Sequence, residues 1–202
     1  MRKTVSAVFL AVVMAFGVGN GYAATTTFDF ESFANGTNIT GVNIGGATIT
    51  RGGDQVLVTD LVPGGASTRD IEGNPFTGNS YRADFSFANV SAVSVALGDF
   101  DADLDNLFLQ AFDSSNTLLS SDAFTIPATF EGLHTLSVSS ATDIAYVVFG
   151  STGVFPNSVF ADDLSVTFNS TSVVPLPGAL PLFASGLVGL GLLSRRRKKA
   201  AA

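Results

Sequence analysis

The 202-residue chain contains no cysteine and no tryptophan, and its single histidine is His134. Without cysteine there is no disulfide framework, no thiolate nucleophile and no thiolate metal site. Between Lys3 and the C-terminal basic cluster there is no lysine, and the only arginines are Arg51, Arg69 and Arg82. All seventeen acidic residues fall in that same interval, from Asp29 to Asp163, so the net charge of −7 hides a strongly acidic body between two basic ends. Such a body repels phosphates and anionic headgroups and attracts cations, which argues against nucleic acid as a partner. No G-x-S-x-G elbow and no glycine-rich phosphate loop ahead of a helix is present. A serine hydrolase would need His134 as its base, and a lone histidine at a strand start reads as structural or exposed.

What is present at the two ends reads as addressing. The start, "MRKTVSAVFLAVVMAFGVGNGYAATTT", has a positive n-region at Arg2 and Lys3 and an apolar run from Val5 to Val18. Small side chains at Gly21 and Ala23 follow, so residues 1–23 read as a signal peptide cut after Ala23. Near the other end, Val173 to Leu193 carries no charge, which is enough for about 30 Å of helix. Pro175, Pro177 and Pro181 spoil its first part, so a short transmembrane helix is expected to start near Leu180. Arg195, Arg196, Arg197, Lys198 and Lys199 then form a cytoplasmic basic stop under the positive-inside rule, before residues 200–202. With an exported N-terminus, the body between them lies outside the cytoplasm.

The order Val-Pro-x-Pro, short glycine- and leucine-rich apolar helix, basic cluster in "VPLPGALPLFASGLVGLGLLSRRRKK" resembles the PEP-CTERM family of sorting tails, in its VPLPA-type variant. Val174, Pro175, Leu176 and Pro177 match the signature, with Leu176 where the commonest form has glutamate and Gly178 where the variant usually has alanine. The resemblance implies a protein held in the inner membrane of a Gram-negative bacterium as an intermediate. An exosortase-type membrane peptidase would then cut it near Pro175–Pro177 and pass it to the cell surface or an exopolysaccharide matrix. The plainer alternative is a permanent single-pass anchor.

Between the ends, residues 24–169 read as one domain, joined to the tail (174–199) by the short link at 170–174. Apolar residues recur with period two in "FDF", "DFSF" and "SAVSVAL", turn signals separate the runs, and no segment has a convincing helical period. Nine or ten strands of this kind predict an all-β, two-sheet sandwich of jelly-roll-like form. Asp60 to Ser80 reads as one long surface loop. Phe28, Phe30 and Glu31 near the start and Asp162, Asp163 and Leu164 near the end resemble the bacterial exported jelly rolls related to galactose-binding-like and carbohydrate-binding modules. In those modules terminal-strand acids often hold a structural calcium ion.

Two acidic groups are therefore candidate metal sites. In "DFDADLD", alternation would set Asp99, Asp101, Asp103 and Asp105 on one strand face about 7 Å apart, where water or a calcium ion must relieve their repulsion. The stretch is not an EF-hand, because Leu104 and Gln110 stand where that loop needs glycine and glutamate. The second group joins Glu31 to Asp162 and Asp163; Asp162 falls on the same predicted face as Phe160, Leu164, Val166 and Phe168. A carboxylate there is costly unless it is metal-bound or lies at a solvated strand end bonding a turn amide. For a sugar ligand the candidates are Tyr81 and Arg82 at the loop edge, Tyr146 being assigned to the core. A non-enzymatic surface or matrix protein associated with exopolysaccharide is the first reading, and a small glycosidase-like hydrolase acting on that matrix is its rival. An epitope tag placed after Ala202 is expected to be lost from mature surface material; immunoblots finding it intact there would remove the processing step.

Overall fold

The computed structural model describes residues 22–60, 69–73, 78–99, 104–127, 132–153 and 156–170. The first twenty-one residues of the expected signal peptide, the link beyond Ser170, the expected sorting signature, the apolar segment and the basic cluster lie outside them. Among the described residues there is no helix, and so none long and apolar enough to cross a membrane.

Among the described residues eleven strands form: β1 (Tyr22–Phe28), β2 (Ala47–Thr50), β3 (Val56–Thr59), β4 (Asp70–Gly73), β5 (Tyr81–Phe85), β6 (Val90–Asp99), β7 (Asp105–Phe112), β8 (Leu118–Ile126), β9 (His134–Ser139), β10 (Tyr146–Thr152) and β11 (Val159–Ser170). Every pairing is antiparallel. One sheet runs β3-β4-β11-β6-β9, with β1 also on β11, and the other runs β2-β5-β10-β7-β8. The two-sheet sandwich expected from the alternation is what forms. One expectation fails: the segment from Asp60 to Ser80 is not a single loop, because β4 lies inside it and pairs with β3.

The inner faces meet in one apolar core. Val58, Ile71, Val95, Leu97 and Leu136 come from the first sheet, and Ile49, Leu107, Leu109, Val147 and Phe149 from the second. Burying each such side chain stabilises by about 1.5–3 kcal/mol, enough to hold the fold without covalent staples. Local chemistry sets the turns. The Oδ1 of Asp113 accepts the amides of Ser115 and Thr117, both at 2.8 Å, and Asn116 takes a φ of 63° to close the β7–β8 hairpin.

β11 departs from simple alternation. Before Asp162 its core-facing residues are Val159 and Ala161; after the irregularity between Asp162 and Ser165 they are Leu164 and Val166. An extra residue in a strand reverses which side chains face inward. The expected shared face of Phe160, Asp162, Leu164, Val166 and Phe168 is therefore corrected: Phe160 and Asp162 lie on the outer face, paired with Gly98 and Ala96.

At one end of the sandwich Arg51 is fully buried. Its Nε donates to the carbonyl of Asn79 at 2.8 Å and its Nη2 to that of Asn157 at 2.6 Å, and its guanidinium lies 4.9 Å from the centre of the Tyr81 ring. Gly73 leaves the space that the Nη1 and Cδ of Arg51 occupy. Replacing Gly73 by alanine is expected to lower stability by roughly 2–3 kcal/mol, because a methyl group must displace this side chain. In an Arg51→Met background the same replacement should cost less than about 1 kcal/mol; urea denaturation of the four proteins in the cycle checks both values.

Candidate cation site

One edge of β11 is shared by two strands. β1 pairs with residues 164–170, whereas β4 meets the strand at Ala161 opposite Ile71. Between them is a break at Asp162 and Asp163, where the register with β6 also slips. Asp163 has a φ of 49°, and Phe30, just past the end of β1 and buried, has a φ of 57°. Left-handed backbone at an aromatic residue is unfavourable and persists only where surrounding structure enforces it, a pattern that concentrates at functional sites.

The break gathers carboxyl groups. Extending the β4–β11 register by one residue sets Asp70 opposite Asp162 on the outer face. Asp70 is fully buried, and among the described residues neither of its carboxyl oxygens has a hydrogen-bond donor. Asp162 is also buried, and its Oδ1 accepts the Asp163 amide at 2.7 Å. Glu31, exposed at the end of β1, accepts the amide of Arg69 at 2.7 Å and so ties the end of β1 to the start of β4. Asp163 is exposed.

The electrostatics record the crowding. Burial first, then the charge and proximity of Asp162, with Glu31 and Asp163 adding, pushes the Asp70 carboxyl up to about 7. Burial pushes Asp162 up to about 6, against the stabilising Asp163 amide and with further repulsion from Asp163 and Glu31. Two states relieve such a pair: one shared proton, or a bound cation. Glu31, Asp70, Asp162 and Asp163 are the residues that could hold a hard divalent ion through oxygen. Among the described residues no three acidic or histidine side chains already stand at coordinating spacing, so the site is not a preformed cage. Asp70 and Asp162 are its fixed part, and the exposed Glu31 and Asp163 would have to turn inward.

The structure thus brings together Glu31, Asp162 and Asp163 from the sequence candidates and adds Asp70. That residue was hidden because β4 is only four residues long and sits in a stretch of loop-like composition. The other acidic candidate does not form one strand face. Asp99 ends β6 in one sheet and Asp105 begins β7 in the other, while Asp101 and Asp103 lie outside the described residues. Asp105 is buried on the core side of β7, with Gly153 packed against its carboxylate.

Tyr81 is not a surface platform. It is fully buried, stacked 5.2 Å from Phe149, with its hydroxyl donating to the Val159 carbonyl at 3.1 Å, because it occupies an inward position of β5. Burial raises its phenol above the ordinary range. Arg82, the next residue, faces outward and is half-exposed. Its Nε donates to both oxygens of Asp84, at 3.0 and 2.8 Å, and its guanidinium lies 3.5 Å from the centre of the Tyr146 ring. That ring stacks on Phe112 at 5.0 Å, so Tyr146 is buried as expected, but on the outer face rather than in the central core. The His134 ring stacks on Phe124 at 3.6 Å.

No family model and no curated protein sequence matches the chain. Similar solved structures include an arabinose-bound GH51 α-L-arabinofuranosidase, with a TM-score of 0.48 and 12% identity over 75% of this chain and 27% of that one. The K3 adhesin domain of Lys-gingipain from Porphyromonas gingivalis has a TM-score of 0.45 and 16% identity over 72% of this chain and 99% of that one. The C-terminal family 22 carbohydrate binding module of Clostridium thermocellum Xyn10B has a TM-score of 0.43 and 21% identity over 70% and 99%. Likenesses of this size bear on neither ligand nor activity.

The carboxyl pair makes a prediction with a definite sign. A raised carboxyl pKa favours the folded state while the proton is held, and that contribution is lost as pH rises through the folded value. In EDTA the melting temperature is therefore expected to fall between pH 5 and pH 8, across the values of about 6 and about 7 for Asp162 and Asp70. Millimolar calcium should abolish the fall. Asp70→Asn should flatten it in EDTA and remove the calcium response; calorimetry showing no calcium shift at pH 8 would eliminate the metal site.

Proposed function

We propose that this chain is an exported, non-enzymatic surface or extracellular-matrix protein whose jelly-roll-like body is locked by calcium at Glu31, Asp70, Asp162 and Asp163. The observation that carries this reading is the buried Asp70 carboxyl, which lies beside a second buried carboxyl, Asp162, and has no basic or amide donor among the described residues. A hard cation compensates that arrangement, and weak calcium sites of this kind serve modules outside the cytosol. The signal peptide and the sorting tail direct the body there, by way of an inner-membrane intermediate cut near Pro175–Pro177 by an exosortase-type peptidase.

The same observation weighs against the rival hydrolase. A glycosidase needs two carboxyl groups about 5 Å or more apart, flanking a bond that substrate can bring between them. Asp70 is sealed from solvent, so a glycosidic bond has no access to its carboxyl group. As the polysaccharide-facing surface we assign the outer face of β2, β5, β10 and β7. There Thr50, Arg82, Val148 and Gln110 follow one another across the strands, all half-buried. The acidic balance of the body favours a neutral rather than an anionic glycan.

Retention of the exported protein on extracted matrix polysaccharide, measured together with release of reducing ends, separates the two readings. Retention without release is expected, and Arg82→Ala should weaken it about tenfold, as for an interface anchor. Reducing-end release that disappears in Asp70→Asn would establish the hydrolase instead.

A further inference from the structure

The sheet edges of this molecule are treated unequally. The outer edge of β2 is covered by Gly41 and Ile44, whose amides donate to the carbonyls of Ile49 and Ala47 at 2.8 and 2.9 Å. The outer edge of β3 is covered by residues 36–39, through Gly36 to Val58 at 2.7 Å and Ile39 to Val56 at 3.0 Å. β8 and β9 are bridged where the Ser137 amide donates to the Asp122 carboxylate at 2.8 Å. β1 is the exception. It pairs with β11 on one side, and among the described residues no backbone group bonds to its other side.

That bare edge has the composition that invites pairing. Its sequence, YAATTTF, has no charge and no proline, two of the devices by which edge strands resist addition of another strand. From Ala24 onward it offers five residues whose midpoint is Thr26. In a protein with an acidic body, an uncharged strand edge is a place where two bodies can meet without repulsion along the strand.

We infer that β1 is the seam of a homodimer, in which two copies pair their β1 strands antiparallel about a two-fold axis at Thr26. The charge pattern selects this arrangement. Asp29 and Glu31 follow the strand directly, so a parallel pairing would bring the acids of both copies together at one end. An antiparallel pairing sends each acidic end past the uncharged start of the other strand. With the leader cut after Ala23, the new α-amino group of Ala24 would also lie beside Phe28 and Asp29 of the second copy, an attraction of opposite charges. The pairing itself needs neither that cut nor the proposed cation.

In this register Thr25 of one copy stands opposite Thr27 of the other. Both side chains are exposed, and among the described residues their partners are the hydroxyls of Thr167 and Ser165 in their own chain. Sedimentation velocity of the exported protein from about 1 to about 100 µM reads the seam directly. The unaltered chain is expected to double its mass within that range, and Thr25→Asp/Thr27→Asp should stay at single-copy mass with its melting temperature retained. Thr25→Lys/Thr27→Lys should likewise stay single. An equimolar mixture of the two should regain the doubled mass, which loss of folding could not produce. Single-copy mass for the unaltered chain at every concentration overturns the proposal. So does doubling by the Asp variant alone, or failure of the folded Asp and Lys variants to associate.

Discussion

Asp70 and Asp162 lie side by side where water is largely excluded, and much of the surrounding structure follows from that contact. Two ionised carboxyls in such a place repel one another and lose their hydration, so the pair persists only with a proton between them or a cation beside them. The backbone is shaped around this requirement. β11 breaks its register there, Asp163 takes a left-handed conformation that lets its amide reach the Asp162 carboxylate, and Phe30 does the same where the chain leaves β1.

Those local departures have a global consequence. β11 is the strand against which β1, β4 and β6 all pair, so whatever fixes its irregular middle also fixes how the chain's first described strand and its last are joined. Because β1 and β11 are antiparallel with Tyr22 opposite Ser170, the chain enters and leaves the domain at neighbouring points. A cut after Ala23 removes two exposed residues from the start of β1 and leaves Ala24–Phe28 paired, so leader removal is compatible with this closure. A cation at the break would act on the closing contact of the fold, which is why its stabilising effect should be global rather than confined to a loop.

The alternating phenylalanines and valines were sufficient to anticipate strands, a two-sheet arrangement and the burial of Phe28, Phe30, Val93, Val95 and Leu97, because burial on one side of a strand imposes a period of two. The same rule misled at Asp162. A bulge shifts the parity of everything before it relative to everything after it, and nothing in "FADDLSV" marks where that happens. At Tyr81 the misleading signal was position rather than period: its neighbour Arg82 and the nearby loop suggested a surface location, although the strand turns the tyrosine inward. β4 escaped notice because four residues hold too little pattern to stand out from a glycine- and proline-rich stretch.

Composition and linear order by themselves determined the acidic body, the absence of thiol chemistry and the strand-built nature of the middle. Each of these depends on residues close together in the chain or on simple totals. Only the tertiary structure decided that Glu31, Asp70 and Asp162 share one place, since they come from three segments of the sequence joined through β11. It also decided that Asp99 and Asp105 part into different sheets and that, among the described residues, nothing pairs with the outer edge of β1. The reason is the same in each case: strand pairing brings together residues that the sequence holds far apart, and no local pattern encodes which strands will be neighbours.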